Sequence, residues 1–391
     1  MTSQSAIIIG AGQTAAHAAM AMRDAGFTGR ILVLGDEAHA PYDRPPLSKA
    51  MLTDDPPPPP APFHDPARVR LARGEALAYD RLLIATGGRA RRLTLPGAHH
   101  VLTLRTLEDA AAIRARLTPG ARVVCIGAGV IGLEIASSAR TRGCDVTVVE
   151  AGPGCMGRSL TPEFAAWVQR LHERAGIRFH FNAAIDEINP TAVITANATH
   201  QADLVVAGIG ITRNDEIATA AGLPTDNGVI VDEFGSTADP AISAAGDVAA
   251  FWHPFYQRRL RLEAWRHAQN HGVAVGRAMA GDPKPYDDIP WFWTDQHGVN
   301  LQLTGLPDNA TQTIHRGDPT AASFAAYHLD ANDHVVACTA INAPRDARAA
   351  QALIPLACKV EPAALANPAT NLQRLVADLR KAALSSVPSG V

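Results

Sequence analysis

Two glycine turns carry the first recognisable chemistry in this chain. In residues 7–20 (IIIGAGQTAAHAAM) and again in residues 123–136 (VVCIGAGVIGLEIA), an apolar run leads into Gly-x-Gly-x-x-Gly/Ala and then into small, helix-favouring residues. Gly10 and Gly127 allow the tight turn, Gly12 and Gly129 let a pyrophosphate approach the backbone, and Ala15 and Gly132 let helix and strand pack closely. Free N–H groups and a partial positive charge at the helix start attract the anion. A single turn of this kind is also what a plain strand-to-helix connection looks like. The geometry of a dinucleotide demands more: an acid about 20 residues on, at the end of the next strand, facing the ribose hydroxyls. Asp36 or Glu37 closes RILVLGDE after the first turn, and Glu150 closes CDVTVVE, 18 residues beyond Gly132. Two complete units predict two nucleotide-containing ligands held at once.

Such sites need open parallel sheets to position them. YDRLLIATGG (79–88) reads as a strand ending in Thr86 and Gly87, and DLVVAGIGITRN (203–214) as a strand running into Gly208 and Gly210. Both would return the chain to the carboxyl edge of a sheet, where ligands sit in open α/β folds. AISAAGDVA (241–249) delivers Asp247 on a glycine turn, either to accept hydrogen bonds from a polyol such as ribitol or to cap a helix. The predicted class is α/β, with two Rossmann-like dinucleotide-binding units.

Bulk properties narrow the function classes. A chain of 391 residues with 47% hydrophobic content can bury a sizeable core in two or three domains. Its formal charge of −3, from 35 Lys+Arg and 38 Asp+Glu, offers no electrostatic hold on nucleic acid or anionic lipid. MTSQS leads directly into a strand without a basic leader, and no apolar run approaches the roughly 18 residues of a membrane span, so a cytoplasmic protein is expected. Cys125, Cys144, Cys155, Cys338 and Cys358 are scattered without C-x-x-C or His/Cys ligand spacing. They read as reduced structural thiols, and no metal site is expected.

Further strings carry a family resemblance: GDEAHAPYDRPPLSKAML (35–52), ATGG, GIGITRN, AAGD, RLEAWRHAQNHG (261–272) and PWFWTDQHGVNLQLTGL (290–306). With the two glycine motifs, and in this order, they resemble the FAD-dependent, NADH-linked ferredoxin reductases of bacterial aromatic-ring dioxygenase and cytochrome P450 systems. That family is similar in fold to glutathione reductase. The resemblance implies FAD on the first unit, NADH on the second, and a [2Fe–2S] ferredoxin as electron acceptor. It puts Asp247 on the ribitol, Arg44 and Lys49 along the FAD with Lys49 near the redox-active ring, and Glu134 as the acid paired with Lys49. It also places Trp265 among the cofactor-contacting residues, and Trp293, or Trp291 in its stead, as the aromatic that shields or orients the rings. A fixed cation beside the ring stabilises the negative charge left by hydride addition, and its carboxylate keeps it oriented. Glu150, as a carboxylate at the ribose, favours NADH over NADPH, with Arg142 and Arg158 near in sequence. Arg258, Arg259, Arg261 and Arg266 read either as a docking surface for an acidic iron–sulfur protein or as plain solvated arginines.

Enzymes of the same fold that reduce disulfides or oxygen place a reactive cysteine against the flavin, and PYDRPPLSKAML (41–52) contains none. Electrons are therefore expected to leave singly for an outside acceptor. A flavin NADH oxidase or disulfide reductase, and a redox sensor binding NADH and FAD without turnover, stand as alternatives. One departure from the family lies between Leu52 and Tyr79, where Pro56 to Pro60 form a run unfit for helix interior or central strand. The helix and third strand of the FAD sheet are expected to be missing there, which would weaken adenine-end binding. Strand patterns and the resemblance give two Rossmann-like dinucleotide-binding domains, an FAD domain at 1–106 and 233–288 and an NADH domain at 107–232 inserted in it, plus a C-terminal α+β domain at 289–391. In the last, SFAAYHLD and HVVACTAIN are predicted strands, followed by a helix from about Arg345 to Leu353.

Overall fold

The computed structural model describes residues 4–61 and 76–385. The chain divides into two compact units, Met1–Asp287 and Asp288–Val391.

In the first unit, strand β1 (Ser5–Ile9) passes through the Gly10–Gly12 turn into α1 (Gln13–Asp24), and β2 (Arg30–Leu34) follows. A short helix α2 (Ala50–Thr53), strands β3 (Arg81–Ile84), β4 (Gly88–Ala90) and β5 (Leu102–Thr103), and helix α3 (Leu107–Arg114) come next. Then β6 (Arg122–Ile126), α4 (Val130–Thr141) and β7 (Asp145–Val149) repeat the strand, glycine turn, helix and strand of the opening. β1 is apolar at every core position because it is covered on both faces. Ile8 packs with Ala15, Ala18, Met22 and Val275 on one side, while Ile7 packs with Leu82, Val231 and Phe251 on the other. Burial on both faces is what a parallel strand inside an α/β layer requires.

The first sheet has the order Ile242–Ala244, β3, β1, β2, all parallel. A second parallel sheet has the order β5, Leu204–Ala207, β6, β7, Arg178–His180. The strands of the second sheet lie in sequence between β3 and Ile242–Ala244 of the first, so the second nucleotide unit is inserted in the first. An antiparallel ribbon of β4 with Ile211–Arg213 carries the chain between them.

The helix Trp265–Met279 packs backbone to backbone on α1. A Cβ on Gly272 would stand 2.5 Å from the Thr14 carbonyl oxygen, and one on Gly276 would stand 2.4 Å from that of Ala18. The i, i+4 spacing puts both glycines on one face of the helix, opposite the alanines of α1.

β2 is an edge: among the described residues no strand pairs with its outer side. Part of the expected deletion, residues 62–75, lies outside the described residues. The proline run before it forms neither helix nor strand and is tied at both ends. Arg114 Nη2 lies 3.4 Å from Asp55, and the Asp43 amide donates to the Ala61 carbonyl at 3.1 Å.

The second unit is a five-stranded antiparallel sheet in the order Trp291–Gln296, Val299–Gly305, Val335–Ile341, Phe324–Leu329, Gln312–Arg316. Helices Pro344–Leu353 and Leu372–Ser385 accompany it, and Tyr327, Leu329, Cys338, Ala347 and Leu353 share one core cluster. The two strands and the helix expected from sequence are those at 324–329, 335–341 and 344–353.

Candidate active site

The two glycine turns present the free ends of α1 and α4. Neither helix has a side-chain cap or an acid in its first turn, so the N–H groups there are left to a ligand. Gly10 adopts φ +112°, and a Cβ there would fall 2.2 Å from the Ala85 carbonyl oxygen, which leaves glycine as the residue that fits. A Cβ on Gly12 would meet nothing within 4 Å, and on Gly129 only the Gly208 carbonyl oxygen at 3.6 Å. The space above each turn is thus open to a bulky anion. Ala15, at the third position of the first turn, is fully buried, while Gly208 packs directly on Gly132, its Cβ position 2.6 Å from the Gly132 nitrogen. These residues fit a dinucleotide at each turn.

Around the carboxyl edge of the first sheet, polar side chains form a continuous chain. Of the two candidate acids, Asp36 is exposed, whereas Glu37 accepts from Arg44 Nη2 and from the Tyr42 hydroxyl at 2.8 Å. The Arg44 guanidinium also lies 5.0 Å from the Tyr42 ring centre and donates to the Arg105 carbonyl at 2.6 Å. Burial raises the Tyr42 phenol above its ordinary value, so it stays a donor. Arg105 in turn reaches Asp247 at 3.4 Å. Burial pushes the Asp247 carboxyl up, and Arg105 opposes it. Trp265 donates its indole N–H to Asp43 at 2.6 Å, tying the first residue of its helix to the PYDRPP loop. Thr86 and Gly87 hold the ribbon in place: the Thr86 hydroxyl donates to the Asn214 carbonyl at 2.6 Å, and the Asn214 amide donates to the Gly87 carbonyl at 3.0 Å.

At the second sheet, Glu150 ends β7 and turns back over the glycine turn. One carboxylate oxygen accepts from the Ala128 amide at 2.7 Å and the other from the Gly152 amide at 2.6 Å. Arg158 lies near Gly210, its Nη2 3.4 Å from where a Cβ would stand; Arg142 is committed to the Leu117 carbonyl at 2.9 Å.

Between the two nucleotide units lies an ion pair. Lys49, at the junction of the 3-10 turn Pro45–Ser48 and α2, places Nζ 2.8 Å from Glu134 Oε2 on α4, and Glu134 is 2% exposed. The carboxylate also accepts from the Ser48 hydroxyl. A buried carboxylate is costly unless paired and hydrogen-bonded, and this one is both.

Beneath the Asp247 turn sit two buried histidines. The Gly246 amide donates to His271 Nδ1 at 3.2 Å, and His267 Nδ1 lies 3.1 Å from the Tyr286 hydroxyl. Burial depresses His267 to about 3 and His271 well below its ordinary value. Both stay neutral in the folded protein while the unfolded chain protonates below about pH 6.5, so stability is lost as pH falls from about 6.5 towards about 3. At pH 5 the expected loss from His267 is about 2 kcal/mol, and His271 adds a loss of the same sign. Urea midpoints at pH 7.5 and 5 test it, with His267→Gln expected to flatten part of the dependence.

Other candidates are placed differently. Arg261 is turned inward, donating to the Asp247 carbonyl at 3.2 Å and to Glu263 at 2.6 Å, and is thus withdrawn from a docking surface. Arg259 donates to the Val231 carbonyl at 2.8 Å, and Arg258 and Arg266 are exposed. Trp291 and Trp293 project from one face of their strand with rings 5.2 Å apart, Trp293 donating to Asp295 at 3.1 Å. All five cysteines are free, and Cys125, Cys144, Cys155 and Cys338 are buried. Ser48, Tyr42 and Arg105 were not among the sequence candidates. Arg105 did have a signal in RTLED: Thr106 and Asp109 form a capping box for α3, which fixes the residue just before the cap.

Comparison with known proteins agrees with this architecture. Residues 4–272 match the family described as pyridine nucleotide-disulphide oxidoreductase, and residues 291–376 match the reductase C-terminal family. The chain is 36% identical, over 95% of its length and 99% of the relative's, to the anthranilate 1,2-dioxygenase system ferredoxin–NAD(+) reductase component of Burkholderia cepacia. It is also 36% identical to the p-cumate 2,3-dioxygenase system ferredoxin–NAD(+) reductase component of Pseudomonas putida, over 94% and 97%. Among solved structures, the ferredoxin reductase for the CYP199A2 system from Rhodopseudomonas palustris superposes with a TM-score of 0.90 at 36% identity, covering 95% of this chain and all of that one. The reductase of the covalent putidaredoxin reductase–putidaredoxin complex gives 0.89 at 31% identity, over 96% and 99%. With two nucleotide turns on parallel sheets, an inserted second unit and a C-terminal antiparallel sheet, the chain belongs to the pyridine nucleotide-disulphide oxidoreductase family, in the group that carries the reductase C-terminal domain.

Proposed function

We propose that this protein is an FAD-dependent NADH:ferredoxin oxidoreductase that supplies electrons to an oxygenase. The observation that carries the reading is the Lys49–Glu134 pair set between two open nucleotide turns, with Lys49 in a segment, residues 41–52, that contains no cysteine. The names of the relatives, ferredoxin–NAD(+) reductase components of dioxygenase systems, support the same acceptor. Per turnover, NADH and two oxidised ferredoxins give NAD+, two reduced ferredoxins and one proton.

In this reading the α1 turn holds the pyrophosphate of FAD, Glu37 the ribose and Asp247 the ribityl chain, with Arg44 and Arg105 offsetting negative charge. The α4 turn holds NADH, with Glu150 at the adenine ribose. Bound FAD supplies the chemistry that the polypeptide lacks, acceptance of a hydride and release of electrons one at a time. Lys49 contributes a fixed cation where negative charge develops, and Glu134 holds that cation in place. Trp293, on the exposed face of its strand in the C-terminal unit, is the proposed ring-shielding aromatic. We place the domain boundaries at 1–106 with 233–288, 107–232 and 289–391. The working compartment is the cytoplasm, a choice supported by the five free cysteines. No helix among the described residues is long and apolar enough to cross a membrane.

Anaerobic mixing with NADH, followed by an oxidised [2Fe–2S] ferredoxin, tests the reading. Rapid flavin bleaching and then rapid reoxidation by the ferredoxin are expected; bleached flavin that reduces no ferredoxin but turns over with oxygen would move the protein to the oxidases. Cofactor choice has its own test. Glu150 presents negative charge where NADPH would bring a phosphate, so Glu150→Ala should narrow the preference for NADH by about tenfold. An unaltered NADH to NADPH ratio of kcat/KM would remove Glu150 from the ribose site.

A further inference from the structure

The carboxylate of Glu134 has a second donor that the proposed reaction does not by itself require. We propose that Ser48 is a positioning residue for hydride transfer, one that sets the Glu134 carboxylate and through it the Lys49 ammonium. The inference rests on the reading of Lys49 and Glu134 given above.

The geometry is a clamp. Ser48 is 3% exposed, Glu134 2% and Ser138 5%, so all three lie out of water. The Ser48 hydroxyl donates to Glu134 Oε2, the same oxygen that receives Lys49 Nζ at 2.8 Å. The Ser48 carbonyl in turn accepts from the Ser138 hydroxyl at 2.7 Å. Glu134 and Ser138 are i, i+4 neighbours on one face of α4, so the helix grips the Ser48 residue at two points, by its side chain and by its peptide. The hydroxyl–carboxylate bond spans 86 positions of sequence and joins the first nucleotide unit to the second.

Such an arrangement has an electrostatic consequence. An O–H···O⁻ bond in a dry site is strong and directional. It fixes the carboxylate plane, which fixes the ammonium, and it withdraws part of the carboxylate charge from the surroundings. Removing the hydroxyl leaves more negative field near the ring position and a less fixed cation. Both changes disfavour the reduced, more negative flavin, so they act with the same sign.

The test uses purified holoprotein carrying Ser48→Ala, Ser48→Cys or Ser48→Thr. For Ser48→Ala we expect flavin content and NADH half-saturation unchanged, the limiting rate of anaerobic flavin reduction lower by about tenfold, and the flavin midpoint potential more negative by about 30 mV, the equivalent of tenfold for two electrons. Ser48→Thr, which keeps the hydroxyl, should recover both quantities, and Ser48→Cys, a weaker donor, should fall between; the Cys and Thr pair decides the matter if the alanine variant fails to hold flavin. An unchanged potential in Ser48→Ala overturns the inference, as do equal losses in alanine and threonine variants, which would mark a packing role. The potential is titrated with a chemical reductant and so is independent of NADH. Wild-type protein that NADH cannot reduce would sink the functional reading, while the graded potentials would still report on Ser48.

Discussion

Replacing Lys49 by methionine is expected to slow reduction of the bound flavin by NADH about 100-fold, with flavin still bound. Methionine keeps the unbranched apolar stem and removes the charge, so the stem still fits while the cation beside the ring position is lost. The magnitude follows from the cost of deleting one preorganised electrostatic group at a reacting centre, about 100- to 1,000-fold in other enzymes. Glu134→Gln, which keeps shape and one acceptor, should be milder, about tenfold, because the lysine remains but is held less firmly. The double variant should be close to Lys49→Met alone, since residues that act as a unit are not additive. Anaerobic stopped-flow on the three proteins is the measurement. Reduction at wild-type rates in Lys49→Met would leave the pair as a structural tie between two domains and nothing more.

The largest stability effect is expected in the C-terminal unit, at Arg316. Its Nη1 donates to the Leu365 carbonyl at 3.2 Å and also to that of Asn367, its Nη2 donates to Pro368 and Thr370, each at 2.9 Å, and its Nε lies 3.1 Å from Asp346. One guanidinium thereby pins residues 365–370 to the edge strand Gln312–Arg316. Asp346 has its carboxyl pushed up by burial, and it also accepts from the Tyr327 hydroxyl at 3.0 Å. Arg316→Ala removes the shared donor from four carbonyls, two of them exposed, and from the half-buried Asp346, and should cost about 2–3 kcal/mol. Lysine has three donors rather than the planar fork and should recover less than half. Thermal unfolding should show the transition of this unit lowered by at least about 10 °C for alanine. A shift of only a degree or two would mean that water takes over the carbonyls at little cost.

Much of the scaffold was legible before any coordinates. Glycine turns, strand runs and acids at strand ends are local signals, because turn sterics and strand burial act within a few residues. They sufficed for the two glycine-turn units and their strands; the insertion of one unit in the other and the C-terminal unit were read with the help of the family resemblance. Pairing of Lys49 with Glu134, by contrast, came from family resemblance; spacing alone made Lys49 an ordinary surface cation. Which of the two adjacent acids, Asp36 or Glu37, is bound by neighbouring side chains was also out of reach of local rules. It depends on Arg44 and Tyr42 arriving from the next loop and binding one of two adjacent acids.

What the sequence by itself determined, then, is where backbone must turn tightly and where a phosphate can approach, since those properties belong to single residues and their nearest neighbours. Tertiary structure decided which polar groups meet. Arg105 reaches Asp247 across 142 positions, Arg261 folds inward instead of facing a partner, and the glycines at 272 and 276 matter because α1 lies against them. The physical reason is the same in each case: burial makes an unpaired polar group or an ill-fitting Cβ expensive, and what is buried against what is set only when distant segments pack.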